Sequence, residues 1–205
     1  MLHPPRRLFI GLLPEKSVQS QIQRHCREWT WPEGTRPTRF GRYHLTLHFL
    51  GQLGAAPEQI LRKALRTMPM QALELELTTP HLWQHGIAVL RPRDHQGLVE
   101  LRERIGALLP RAGLFTPKSF TPHVTLARDA HFAEPPKHET CIRWSVREFV
   151  LVWSRLPPEV KPARYEVPER FGVNDLAWSQ GGESGEQFPL FGAAAPPQCS
   201  RRQKQ

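Results

Sequence analysis

Hydrophobic residues along the chain follow two spacings, one typical of strands and one typical of helices. Short apolar runs and strict alternation of apolar with polar residues predict strands. Apolar residues that recur every three or four positions predict helices, several of them bounded by proline. Together they predict an α+β protein with a largely antiparallel sheet. The predicted strands are 7–12, 43–51, 73–77, 86–91, 120–128, 149–155 and 165–167, and the predicted helices are 18–29, 60–68 and 98–108.

The periodic pattern ends near residue 173. Glycine, serine, alanine and proline dominate the rest of the chain, which finishes on a basic tip at Arg201 and Arg202. Such a segment cannot bury enough apolar surface to form a core. The sequence therefore predicts one domain over residues 1–172 and a flexible tail over residues 173–205.

A tetrad of residues occurs twice. His44-Leu45-Thr46-Leu47 recurs 79 positions later as His123-Val124-Thr125-Leu126. The same offset places the strand 7–12 on the strand 86–91 and the first helix on the third. Agreement of strand, helix and tetrad indicates a duplicated unit. We expect two similar lobes that face each other across a pseudo-twofold cleft, with one tetrad from each.

The paired tetrads suit acid–base chemistry. On a strand, residues two apart share a face, so His44 and Thr46 point one way, and His123 and Thr125 do the same. Histidine both donates and accepts protons near neutral pH. A facing pair can act as base and acid in one displacement while the hydroxyls donate hydrogen bonds to the reacting group. This arrangement suits transfer at a phosphate diester.

Charge points to a polyanionic partner. Lys and Arg number 28 against 19 Asp and Glu, for a formal net charge of +9. Such a surplus favours nucleic acid first and an acidic membrane second. Arg36, Arg39 and Arg42 precede the first tetrad and are candidates for a rim that guides RNA. With 39% hydrophobic and 23% charged residues, the composition is that of a globular protein and excludes a wholly disordered chain.

Cysteines and apolar runs bear on the compartment. Cys26, Cys141 and Cys199 are scattered, which favours a reducing compartment and argues against a disulfide framework. The apolar run 8–13 is too short for a signal peptide, and no run reaches the roughly 20 residues of a membrane span. We therefore expect a cytoplasmic protein without membrane contact.

Longer segments around the tetrads resemble a known family. His44–Gly51 (HLTLHFLG) and Pro122–Arg128 (PHVTLAR) resemble the two motifs of the 2H phosphoesterase superfamily. The opening strand 7–12 and the late strand 148–151 resemble, more narrowly, the bacterial RNA 2′,3′-cyclic phosphodiesterases, also called the 2′-5′ RNA ligase family. The resemblance covers roughly residues 7–170 and implies a bilobal fold around a central cleft.

The resemblance implies hydrolysis of a terminal 2′,3′-cyclic phosphate to a 2′-phosphate, with RNA ends or cyclic nucleotides as substrates. It makes His44 the proton donor and His123 the proton acceptor, with Thr46 and Thr125 on the phosphate oxygens. A 5′-hydroxyl in place of water would give 2′-5′ RNA ligation by the same groups. Neither a metal nor another cofactor is expected, and we expect a monomer with no obligate protein partner.

Three residues near the tetrads are ambiguous. Phe49 and Arg128 each lie five positions after a histidine, so a regular strand points them to the opposite face unless it ends or bulges. The resemblance favours Phe49 stacking on a nucleobase and Arg128 meeting phosphate; roles in the core or on the surface are the alternative. His48 shares the parity of the cleft residues, and a supporting or solvent-facing role is favoured over catalysis.

Weaker signals leave alternatives open. His81 and His85 have the spacing of helical metal ligands, but the H-E-x-x-H carboxylate is missing, and no metal is predicted. Trp83 and Phe120 either stack on bases or pack in the core, and the core is favoured. Two other functions remain: a catalytically silent RNA or nucleotide binding module, and a 2H enzyme that acts on another phosphodiester.

Overall fold

The computed structural model describes residues 4–115 and 119–173. The predicted tail, apart from Val173, lies outside the described residues. The elements alternate as the repeat predicts, with a helix after the first strand of each copy. The strands are β1 (Arg6–Leu12), β2 (Arg36–Pro37), β3 (Leu45–Leu53), β4 (Leu73–Trp83), β5 (Ile87–Pro92), β6 (Val124–Arg128), β7 (Ile142–Val146), β8 (Glu148–Arg155) and β9 (Arg164–Gly172), and the helices are α1 (Lys16–Cys26), α2 (Ala55–Arg66) and α3 (Gln96–Gly106).

One strongly curled antiparallel sheet holds all of these strands. Its order is β7-β4-β5-β6-β3-β1-β8-β9, and the short β2 pairs with β6. The two repeated strands β3 and β6 lie side by side at the centre. Each is flanked by the other strand of its own copy, β1 beside β3 and β5 beside β6. We call β3-β1-β8-β9 the first half of the sheet and β6-β5-β4-β7 the second half.

The helices link the two halves. Helix α1, from the first copy, packs against β7 in the second half, and α3, from the second copy, packs against β3 in the first half. Val18 and Ile22 are buried on α1, and Leu98, Leu101 and Ile105 are buried on α3. These residues recur at helical spacing, so one apolar stripe of each helix faces the sheet. The exchange joins both halves through a shared core.

The structure departs from the predicted elements in several places, of which two concern the second half of the sheet. Strand β7 was not predicted, although Ile142, Trp144 and Val146 alternate with polar residues and are buried. Strand β4 continues past residue 77 to Trp83, which brings its end beside the centre of the sheet.

Two further sequence expectations concern cysteines and membrane spans. Cys26 has a free thiol, whereas Cys141 is disulfide-bonded, contrary to the expectation from the sparse cysteines. No helix among the described residues has the length and apolar character to cross a membrane.

Candidate active site

The two tetrads lie on neighbouring strands. Leu45 of β3 pairs with Val124 of β6 in antiparallel register. Antiparallel geometry then places His44 across from Thr125 and Thr46 across from His123, on one face of the sheet. The four side chains that the repeat singled out are therefore gathered at one site.

Equivalent hydrogen bonds orient the two imidazoles. His44 Nδ1 lies 2.8 Å from the carbonyl oxygen of Arg42, and His123 Nδ1 lies 2.8 Å from the carbonyl oxygen of Thr121. A carbonyl only accepts, so Nδ1–H donates in both cases. Each Nε2 is then the nitrogen that takes up or releases a proton. The two carbonyls belong to residues 79 positions apart, so the duplication extends to this contact.

Burial and nearby positive charge lower the pKa of both histidines. For His44, burial is the main cause of the lowered pKa, and His123, Arg42 and Arg128 add to it. For His123, burial again comes first, followed by Arg128 and Arg91. An imidazolium is costly in such surroundings. Both rings are therefore mainly neutral in the free protein at neutral pH.

Strand β3 bulges directly after the threonine of its tetrad. Thr46 pairs with Gly11 and His48 with Ile10, so Leu47 has no partner on β1. An extra residue on one strand, without a partner on the neighbouring strand, is a β-bulge. After it, the side chains of the strand point to the opposite faces from those expected by regular alternation. Leu47 and His48 are accordingly both buried, one after the other.

Strand β6 has the same bulge at the equivalent position. Thr125 pairs with Val89 and Ala127 with Ala88, which leaves Leu126 without a partner on β5. Leu126 and Ala127 are both buried. Since Leu126 lies 79 residues after Leu47, the bulge belongs to the repeated unit.

The paired bulges bring Phe49 and Arg128 to the face of the histidines. Phe49 is directly opposite Phe9 on β1, and the ring of Phe9 lies 4.9 Å from that of His44. Phe49 is 54% exposed, with the guanidinium of Arg7 4.8 Å from its ring. Arg128 is exposed and lines a pocket together with His44. Of the alternatives left open by the sequence, a bulge is the one found.

His48 lies away from this face. Its side chain is 2% exposed, and Nε2 lies 2.8 Å from the carbonyl oxygen of Arg102 in α3. The cleft position that parity indicated for His48 is wrong, because the Leu47 bulge turns the residue towards the helices. Of the two favoured roles, the solvent-facing one is excluded by its burial and a supporting one fits. His48 instead ties β3 to α3.

The pocket beside His44 is rich in arginine. Arg36, Arg39 and Arg42, the predicted rim, line it together with Arg128. Arg36 lies on β2 and forms an ion pair with Asp129. Planar guanidinium groups suit phosphate recognition. The remaining lining residues are Pro37, Thr38, His44, Thr125 and Tyr165.

Aromatic rings flank each histidine. Tyr165 of β9 meets the His44 ring edge-on at 5.2 Å, and the guanidinium of Arg42 lies 4.6 Å from the Tyr165 ring. Trp83 meets the His123 ring at 4.5 Å. Tyr165 and Arg91 were not recognised as site residues from the sequence, because only strand order brings them here. Phe120 packs against the core, as favoured.

Metal ligands are not gathered at this site. The described residues contain no group of three or more His, Cys, Asp or Glu side chains able to hold a metal ion. His81 lies on β4 and His85 in the turn from β4 to β5, so the pair is not on an α-helix. That the reaction needs no metal or cofactor stays a prediction.

Fold and site together define a 2H-type phosphoesterase, with one H-x-T motif on each of two central strands. The chain belongs to the 2′-5′ RNA ligase superfamily, whose sequence pattern matches residues 16–157. It is 30% identical over 154 residues to the RNA 2′,3′-cyclic phosphodiesterase of Escherichia coli (strain K12), covering 72% of this chain and 86% of the relative.

Solved structures agree with the assignment. Escherichia coli LigT complexed with 3′-AMP superposes with a TM-score of 0.71 at 27% identity, covering 82% of this chain and 98% of the other. A crystal structure described as a phosphoesterase gives 0.72 at 28% identity, with coverage of 82% and 98%. These matches confirm the predicted family and fold, and they support the cyclic phosphodiesterase activity.

Proposed function

We propose that this protein hydrolyses 2′,3′-cyclic phosphates at RNA ends to 2′-phosphates, with His44 as proton donor and His123 as proton acceptor. The proposal rests above all on the two imidazoles that face one site from neighbouring strands with identically anchored Nδ1 atoms. Each Nε2 is free of that anchor and can exchange a proton with a bound phosphodiester.

The displacement needs one proton removed and one delivered. His123 Nε2 takes a proton from water as the water oxygen attacks phosphorus. The bond from phosphorus to the 3′-oxygen breaks, and His44 Nε2 gives that oxygen its proton. Relief of strain in the five-membered cyclic phosphate drives the step, so no nucleoside triphosphate is consumed. General acid and base catalysis contribute about 10²–10⁴-fold each.

Charge at the site matches the needs of this reaction. The cyclic phosphodiester carries one negative charge, which raises the low pKa of the nearby imidazoles on binding and favours protonation of one of them. Thr46 and Thr125 donate hydrogen bonds to the non-bridging oxygens. Arg128 meets the charge that builds up on these oxygens, which is an oxyanion-type role.

The substrate is RNA or a free cyclic nucleotide. The exposed ring of Phe49 offers a stacking surface for the terminal base. Arg36, Arg39 and Arg42 border the same pocket and suit the backbone phosphates that precede that base. The formal net charge of +9 adds long-range attraction. We place the protein in the cytoplasm as a monomer, with RNA as its partner.

The test is turnover of adenosine 2′,3′-cyclic phosphate, and of an oligonucleotide with the same terminus, in excess chelator. Chromatography resolves the 2′- and 3′-phosphate products. We expect the 2′-phosphate from both. A 3′-phosphate would reverse the assigned regiochemistry, and tight binding without turnover would make the protein a nucleotide-binding module. Turnover of other cyclic phosphodiesters only would assign a different substrate.

A further inference from the structure

The geometry points to a second nucleoside subsite, formed by Trp83 beside His123, that binds the 5′-hydroxyl end of an acceptor RNA. The family already implies ligation to a 5′-hydroxyl; the new element is a site at Trp83 that selects the acceptor by its base. The inference rests on the proposed function, because it takes His123 as the base.

The position of Trp83 is the first argument. The attacking oxygen must approach His123 Nε2, on the side of phosphorus opposite the departing 3′-oxygen. A 5′-hydroxyl that replaces water brings its own ribose and base to that side. The Trp83 ring offers that base an aromatic surface next to His123, with the two ring centroids 4.5 Å apart and the ring planes at 63°. A nucleobase that stacks on tryptophan gains about 1–3 kcal/mol.

Open space beside Trp83 is the second argument. The ring is only half-buried and borders a surface pocket at the end of β4 and the start of β5. The lining combines apolar side chains with polar ones that can form hydrogen bonds, which suits a nucleoside. The pocket is lined by His81, Leu82, Trp83, Gln84, His85 and Ile87.

The turn that carries Trp83 is fixed relative to β6. His85 and Gly86 both have positive φ, 62° and 67°. The carbonyl of Gly86 accepts a hydrogen bond from the backbone N–H of Ala130, just after β6, at 2.8 Å. A Cβ at Gly86 would lie 2.9 Å from that nitrogen, so only glycine fits this approach. The backbone of the turn that follows Trp83 is therefore fixed against the end of β6 before any ligand binds.

The first half of the sheet leaves less room at the equivalent place. There Phe9 and Tyr165 both cover the His44 ring, at 4.9 and 5.2 Å. The guanidinium of Arg42 occupies one side of Tyr165. Space for an additional base therefore lies beside His123, the side of the nucleophile.

The reaction balances without a co-reactant. The 5′-hydroxyl proton passes to His123 Nε2 while the 5′-oxygen forms its bond to phosphorus. The bond from phosphorus to the 3′-oxygen breaks, and that oxygen takes a proton from His44. The product is a 2′-5′ phosphodiester with a free 3′-hydroxyl. In reverse, the 3′-hydroxyl attacks the same phosphorus and the 5′-hydroxyl nucleoside leaves from the Trp83 subsite.

The experiment measures how one donor partitions between two acceptors. Adenosine 2′,3′-cyclic phosphate is turned over with adenosine or with methyl β-D-ribofuranoside, which has the 5′-hydroxyl but no base. The ratio of diester to 2′-phosphate cancels any overall loss of rate. We expect adenosine to saturate and to be captured about tenfold better, since stacking is worth 1–3 kcal/mol. Trp83→Leu should abolish this preference and Trp83→Phe should keep part of it.

Phe49→Leu is the matched control, because it removes a ring on the donor side and should leave acceptor preference intact. Cleavage of 2′-5′-linked diadenosine is a second readout, and Trp83→Leu should slow it more than it slows hydrolysis of the cyclic phosphate. Equal preference in wild type and Trp83→Leu would overturn the subsite, as would a wild type that neither forms nor cleaves the diester. Failure to turn over the cyclic phosphate at all would instead refute the proposed function.

Discussion

The first and second halves of the sheet share an H-x-T motif with an anchored imidazole, and they differ in what surrounds that imidazole. Each histidine donates Nδ1–H to a carbonyl two residues earlier, and each central strand bulges after its threonine. The residue five positions after the histidine then faces the site in both halves, but it is Phe49 in one and Arg128 in the other. One position thus serves an apolar contact in the first half and a charged contact in the second.

Flanking groups extend this difference. The carbonyl that anchors His44 belongs to an arginine, whereas the one that anchors His123 belongs to Thr121. Two aromatic rings cover His44, whereas His123 meets the single tryptophan described above. Duplication therefore provides two chemically equivalent imidazoles. Their unlike neighbours make the two sides of the site chemically different, and the proposed roles assign one side to the leaving group and the other to the nucleophile.

The largest expected effect comes from removing either imidazole. His44→Ala and His123→Ala should each lower kcat by about 10²–10⁴-fold on a cyclic nucleotide. A base must be deprotonated, so its loss removes the rise in rate with increasing pH; an acid must be protonated, so its loss removes the fall. His123→Ala should therefore lose the acidic limb of the pH–rate profile and His44→Ala the alkaline limb. The opposite pattern would exchange the two roles.

The next effect separates Arg128 from Phe49. Arg128→Gln should lower kcat/KM about 10–100-fold, because hydrogen bonds to charged groups contribute about 1.5–3 kcal/mol. The loss should be the same for a cyclic nucleotide and for base-free ribose 2,3-cyclic phosphate. Phe49→Leu should cost about tenfold on the nucleotide only. If the two variants show the same ratio of kcat/KM for the nucleotide over the base-free substrate, Phe49 does not contact the base in the way that separates it from Arg128.

A smaller effect concerns the backbone beside His44. A Cβ on Gly11 would lie 2.7 Å from the carbonyl oxygen of Leu45, whereas the equivalent residue in the second half is Leu90. Gly11→Ala should lower the free energy of unfolding by about 1–3 kcal/mol, the usual cost of overpacking. Gly172→Ala, whose Cβ meets no atom closer than 3.7 Å, is the control. Denaturant titrations that show equal stability for the two variants would contradict the close approach.

The smallest effect is a shift in two titrations. NMR of the free protein should give His44 and His123 pKa values below the ordinary value of about 6.5, because burial and nearby positive charge oppose protonation. Below those pKa values the rings are charged, and above them neutral. Adenosine 2′-phosphate should raise both pKa values, since its negative charge favours the imidazolium form. Values at or above 6.5 without ligand would show that the site is better solvated than the structure indicates.

The repeat at an offset of 79 made the centre of the site predictable. From sequence alone, the repeat matched the two tetrads, the two first strands and the two helices. The structure has the tetrad strands β3 and β6 side by side. The local sequence pattern was enough to predict the centre of the site, because each motif contains both a histidine and the apolar alternation of a strand.

The positions of residues outside the motifs were harder to predict from the sequence. A bulge depends on which residues of the partner strand pair across, so the parity of β3 alone put His48 on the wrong face. Tyr165 reaches His44 because β8 and β9, late in the chain, join the first half of the sheet. The contact between Tyr165 and His44 therefore depends on the order of strands in the sheet, which hydrophobic periodicity does not reveal.

The paired bulges also affect how such a protein can diverge or be redesigned. Each creates a surface position that adjoins the reaction centre while the proton-transfer groups remain anchored elsewhere. Substitutions at Phe49 can thus retune ligand selection without altering proton transfer, whereas substitutions at Arg128 would change how the phosphate itself is held. An engineer who wanted a new nucleotide preference would randomise residue 49 first and leave both H-x-T motifs unchanged.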